Sequence, residues 1–192
     1  SARSFRRRPG SRWCRSGARA ERPGEVTDRP AFVLLEDGTW YAGTAPRSIT
    51  PTFGEVVFTT NLTGYQEAFT DPSFLGQIIV MTPPMIGNYG VNFEDMESHR
   101  PQVSGVVCRE LSRNHSSWRA EMGLGEWLEE AGVPLIEGVD TRRLTRHLRE
   151  RGAMRGVIAE GTEPTEGLKR QLLASPSMEG LVLASRATAE TT

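Results

Sequence analysis

The side chains able to do chemistry are few and scattered. There are two cysteines, Cys14 and Cys108, and three histidines, His99, His115 and His147. A nucleophilic cysteine needs a base within reach and a turn that exposes it. Cys108 sits between Val107 and Arg109 in a run, Ser104 to Leu111, that reads as a strand, so it is expected to be a buried structural thiol. Cys14 lies in a polar N-terminal extension. The histidines fall in separate polar segments without metal-ligand spacing, and His147, on an Arg-rich helix face, is expected to be solvated. No G-x-x-x-x-G-K or G-x-G-x-x-G loop occurs. No catalytic residue, metal site or cofactor is therefore expected in this chain. What remains is Thr70-Asp71-Pro72-Ser73. Asp opens an Asx-type turn, Pro fixes φ, and the serine hydroxyl both donates and accepts. Residue chemistry alone makes this a polar turn.

The elements that would position that turn lie between Gly54 and Gly90. Gly54–Thr60 is a strand rich in β-branched and aromatic residues, and Gln77–Thr82 is a buried-type strand ending at Pro83-Pro84. Between them Asn61 or Thr63 is placed to cap one or two helical turns, with Gln66 at capping-box spacing from Thr63. Gly87-Asn88-Tyr89-Gly90 closes the stretch as a loop. Upstream, Ala31–Leu35 and Trp40–Thr44 flank Asp37-Gly38, a strong hairpin signal. Downstream, Leu124, Trp127, Leu128 and Ala131 recur at helical spacing, and Val133–Ile136 is a short strand. Asp140 caps a helix over Thr141–Arg151, with Gly152 as its stop. Gly156–Ala159 is a last strand, and Thr165–Ala174 a helix turning Leu168, Leu172 and Leu173 inward. The helix after Asp140 carries arginines on one side, which is either a solvated face or a protein contact, since arginine is enriched at interfaces. Strands bunched early and helices late predict an α+β domain, not a doubly wound sheet.

Composition sets the outer limits. The chain has 192 residues, enough for one substantial domain, and no apolar run of membrane-spanning length. Residues 1–30 carry nine Arg and three acids and lack apolar periodicity, so they are expected to be a disordered extension. Three readings stand for it: a non-native N-terminus, an organellar transit peptide, or a nucleic-acid arm. The rest of the chain carries a net charge of −7, which argues against nucleic acid as the main partner. Two cysteines without framework spacing fit a reducing compartment, and a cytoplasmic location is expected, with an organelle as the alternative if the extension is a transit peptide.

Several stretches taken together resemble one family. They are Leu35-Glu36-Asp37-Gly38-Thr39, the run from Gly54 to Glu67, Thr70-Asp71-Pro72-Ser73, Gln77-Ile78-Ile79, Ile86 to Gly90, and Asp140 to Thr145 followed by Leu148 to Gly152. In this order they resemble the N-terminal domain of the small, glutamine-hydrolysing subunit of carbamoyl phosphate synthetase, over about Ala31 to Thr192. The resemblance implies a swivelling β/β/α layered domain over residues 31–180, with 181–192 as the start of a linker to a class I glutamine amidotransferase domain. It implies that a Cys–His–Glu site in that second domain releases ammonia from glutamine. The large subunit, using ATP and magnesium, would convert that ammonia to carbamoyl phosphate for arginine and pyrimidine synthesis. On this resemblance Ser73 contacts bound glutamine and performs no chemistry, the domain docks to the large subunit, and these residues alone hydrolyse no glutamine. No nucleic-acid or membrane partner is implied. A stand-alone binding or regulatory module of the same fold is the alternative.

Overall fold

The computed structural model describes residues 28–176 apart from positions 93 and 95. The expectations for residues 1–27, Cys14 among them, and for the linker at 181–192 lie outside the described residues.

Seven strands form one mixed sheet. They are β1 (Arg29–Leu35), β2 (Trp40–Ala45), β3 (Thr52–Thr59), β4 (Gln77–Met81), β5 (Gly105–Val107), β6 (Leu135–Ile136) and β7 (Met154–Glu160), in the order β2-β1-β7-β3-β4-β5-β6. The helices are α1 (Tyr65–Thr70), α2 (Leu124–Glu130), α3 (Thr141–Arg151) and α4 (Glu166–Ala174). The architecture is α+β, as the sequence predicts, but it has two unlike halves. Strands β2, β1, β7 and β3 pair antiparallel, while β3, β4, β5 and β6 pair parallel. Parallel strands need crossovers, and α1 and α2 lie in two of them.

The sheet curls until its edges meet. Thr44 in β2 and Glu137, just after β6, exchange two backbone hydrogen bonds, each 2.8 Å. Inside lies a core with residues from all seven strands, Val33, Tyr41, Val56, Val80, Val107, Ile136 and Ile158 among them, and Leu144 and Leu148 of α3 join it. The halves touch across this core, because a Cβ placed on Gly105 of β5 would strike Ile158 of β7. A second core on the outer face of the parallel half holds α1 and α2 through Phe69, Leu124 and Leu128. A third sets Leu172 of α4 against Phe32, Leu34 and Val157. Burying both faces of the sheet excludes water from its ladders, at about 25 cal/mol for each Å² of apolar surface removed.

Four local expectations need correction. The ordered chain begins before Ala31: Arg29 and Pro30 pair with Ala45 and Thr44, so a paired strand end overrides a polar composition. The strand expected over Ser104–Leu111 is only Gly105–Val107, because its neighbours β4 and β6 pair with it no further. Leu173 is 56% exposed; a helix of nine residues lying on one sheet face has room for Leu172 at the contact and Leu168 beside it. Neither Asn61 nor Thr63 caps α1. Its N-cap is Gly64, at φ 78°, and the cap has no side-chain hydrogen bond of its own.

Candidate functional site

The expected turn forms as read. Asp71 Oδ1 accepts the Ser73 amide at 2.8 Å, and the amides of Phe74 and Leu75 close a 3-10 turn onto Asp71 and Pro72. The turn joins the end of α1 to the start of β4, so it stands at the N-terminal edge of the parallel ladder. Ser73 is exposed, and among the described residues nothing hydrogen-bonds its hydroxyl. Neither of two cavities is lined by it: one of about 430 Å³ lies between residues 46–50 and α2, the other of about 540 Å³ beside α3.

The turn is held through α1. The Tyr65 ring stacks on Tyr89 at 4.1 Å, and its hydroxyl donates to the Gly90 carbonyl at 2.6 Å. Burial, with Tyr89 beside it, pushes that hydroxyl far above the ordinary phenol range, so it stays a donor. The Tyr89 hydroxyl accepts the amides of Gly64 and Tyr65 at 2.8 and 3.1 Å. It thus supplies from 24 residues away the cap that no neighbouring side chain provides. Gln66, expected in a capping box, instead clamps the backbone of Asn92: its Nε2 donates to the carbonyl and its Oε1 accepts the amide. The buried Thr70 hydroxyl donates to Gln66 O and accepts the Glu97 amide. The Gln102 amide donates to Phe69 O, and Gly76, at φ 77°, donates to Gln102 O. These bonds leave the turn little freedom. The sequence predicts the turn but not the roles of Tyr89, Gln66 and Asn92 around α1, because nothing local to α1 announces a cap from a distant loop.

The other candidates do not converge on the turn. Cys108 is fully buried, and burial, then the charge of Glu137, pushes its thiol far above the ordinary range. Such a thiol is inert. His99 and His115 are exposed. His147 is not solvated as expected: its Nε2 lies 2.7 Å from Asp37 Oδ2, tying α3 to the β1–β2 turn. The reason is tertiary, since closing the sheet brings the Asp37-Gly38 turn against α3. Among the described residues no group of three or more His, Cys, Asp or Glu could hold a metal ion, and no helix is long and apolar enough to cross a membrane.

The Asp37 contact has a pH signature. Partial burial raises the carboxyl, but the Thr39 amide and hydroxyl and His147 outweigh it and hold the group below its ordinary 3.8. A lowered carboxylate pKa contributes stability above the unfolded value, and that contribution is lost as pH falls through the folded value. Asp37→Asn is expected to cost about 0.5–1 kcal/mol at neutral pH. In urea titrations the gap from wild type should shrink below about pH 4. A gap independent of pH would show that the carboxylate charge is not what holds the contact.

The fold so described is a mixed-sheet α+β domain with Ser73 exposed on the turn between α1 and β4. Residues 33–158 match the family model described as carbamoyl-phosphate synthase small chain, CPSase domain, and the chain belongs to that family. It is 48% identical over 161 residues to the carbamoyl phosphate synthase small chain of Maridesulfovibrio salexigens, with 84% of this chain and 43% of that protein covered. With the small chain of Streptomyces avermitilis the identity is 50% over 165 residues, covering 84% and 43%. The chain thus spans less than half the length of these curated relatives. Among solved structures, an aminopeptidase from Aneurinibacillus sp. strain AM-1 has a TM-score of 0.40 at 12% identity over 72% of this chain and 32% of that one, too slight a likeness to bear on fold or function.

Proposed function

We propose that residues 28–176 are the N-terminal domain of the small subunit of a glutamine-dependent carbamoyl phosphate synthetase. The observation that carries this reading is the family match over residues 33–158, which contains the exposed, hydrogen-bonded Ser73 turn. Ser73 orients glutamine held by the amidotransferase part of the full subunit and moves no proton. Its hydroxyl is available for that role because nothing among the described residues engages it. The domain docks to the large subunit, which performs the ATP- and magnesium-dependent steps, and the whole works in the cytoplasm. The described residues hydrolyse no glutamine on this reading: Cys108 is buried and its thiol is held protonated, so they offer no thiolate to attack an amide. On this reading the domain is of the swivelling β/β/α kind. The antiparallel half facing the parallel half across one core, with α1 and α2 outside, supports that description.

The test is Ser73→Ala in the full-length subunit assembled with its large subunit. Losing one substrate hydrogen bond is expected to lower glutamine-driven synthesis about tenfold, mainly through KM, and to spare synthesis from free ammonia. Equal loss of both activities would assign Ser73 a structural role.

A further inference from the structure

Outside α3, Arg29, Arg47, Arg113, Arg119 and Arg155 each meet a carboxylate, while the side chains of Arg109 and Arg170 reach only backbone carbonyls. Helix α3 carries five more within eleven residues: Arg142, Arg143, Arg146, Arg149 and Arg151. Among the described residues none of these five forms an ion pair, and the side chains of Arg142, Arg146, Arg149 and Arg151 make no hydrogen bond. Glu150 stands one turn from Arg146 and does not pair with it. Like charges three and four residues apart on a helix repel, so the spacing of Arg142, Arg143, Arg146 and Arg149 costs some helix stability.

Three of these arginines also line a shallow concavity. A cleft of about 540 Å³ lies between α3 and the β1–β2 hairpin, with Thr39 and Tyr41 on one wall and Arg142, Arg143 and Arg146 on the other. The Arg143 guanidinium lies over the Tyr41 ring, 5.4 Å from its centre, and the Asp37–His147 contact fixes the wall beside it. Two acids, Asp140 and Glu150, also line the cleft, so its three arginines keep an excess of one positive charge; Asp140 accepts the Arg143 amide, and Glu150 forms no ion pair among the described residues.

We propose that this cleft docks a carboxylate-rich segment of a partner protein, with Arg142, Arg143 and Arg146 taking its carboxylates. Guanidinium groups match carboxylates in fork geometry, and a stacked, pre-positioned arginine with a tyrosine beside it is the composition of an interface centre. A nucleic acid fits less well. Its phosphates would run past the short cleft onto a chain whose residues 31–192 carry −7. The identity of the partner as the synthetase large subunit rests on the function proposed above; the cleft and its chemistry do not.

The experiment titrates a dye-labelled hexaglutamate peptide against the 192-residue chain, R142A/R146A and an off-site control, R119A, by fluorescence anisotropy. The expected result is saturable, salt-sensitive binding that weakens at least about tenfold in R142A/R146A and is unchanged in R119A. Thermal melts of R142A/R146A should match or exceed wild type, since repulsion is relieved. Absence of binding, equal binding by R142A/R146A, or tighter binding of a single-stranded oligonucleotide overturns the proposal. The same variants are then mixed with the large subunit. If wild type and R142A/R146A bind it equally, the cleft assignment falls and docking stands. If arginine-dependent peptide binding holds but the large subunit does not bind wild type, the docking reading falls and the cleft stands.

Discussion

Gly43→Ala is expected to destabilise the chain by about 2–3 kcal/mol, enough to lower Tm by roughly 5–10 °C in a domain of this size. Gly43 sits on β2 between Tyr41 and Ala45, whose side chains enter the central core. A Cβ there would stand 2.6 Å from the Glu137 carbonyl oxygen and 2.7 Å from methyls of Ile136 and Val139. The oxygen cannot retreat cheaply, because it accepts the Thr44 amide at 2.8 Å, and the Glu137 amide donates back to Thr44 O. Nor is Glu137 loose elsewhere. Its buried carboxylate accepts the Leu111 amide at 3.2 Å and pairs with Arg113. A methyl at residue 43 therefore acts where Thr44 and Glu137 close the sheet. Gly105→Ala is the control. Its Cβ would meet chiefly the Cδ1 end of Ile158, which can rotate away, so its cost should stay below about 1.5 kcal/mol. Urea titrations of the two variants decide the matter, and equal costs would mean that the Thr44–Glu137 closure is not what Gly43 protects.

Tyr89→Phe should cost about 1–3 kcal/mol although it removes a single oxygen. The stack on Tyr65 survives, but the amides of Gly64 and Tyr65 lose their acceptor at the start of α1. Gly64 is held at φ 78°, so the cap cannot relax by extending without unwinding the first turn. The effect should travel along the six residues of α1 to the Ser73 turn. Hydrogen exchange is expected to quicken over residues 64–74 while β1 and β7 stay protected. Tyr65→Phe, which removes the donor to the Gly90 carbonyl, should cost less, about 1 kcal/mol. If Tyr89→Phe leaves both stability and exchange unchanged, water serves those amides and the tyrosine hydroxyl is not the cap.

Both variants test features with no local sign in the chain, and that is the line between what was legible and what was not. The Asp37-Gly38 hairpin formed where read, with Gly38 at φ 85°. Helix α3 runs from its Asp140 cap, whose side chain accepts the Arg143 amide, to Gly152 at φ 91°. The Asp71–Ser73 turn closed as its residue types require. At the candidate site the turn carrying Ser73 was legible in its residue types; the bonds that hold α1 beside it were not.

The sequence by itself determined the elements whose controlling contacts lie within about four residues: hairpin turn, helix caps, Asx turn and strand composition. Tertiary structure alone decided that β7 enters between β1 and β3, more than ninety residues from either, and that Thr44 meets Glu137. It also decided that Tyr89 caps α1 and that Asp37 meets His147. Short-range contacts are fixed by backbone geometry and side-chain reach, so residue type reveals them. Long-range contacts are fixed by which faces the whole chain can bury together, and no window of the sequence holds both partners.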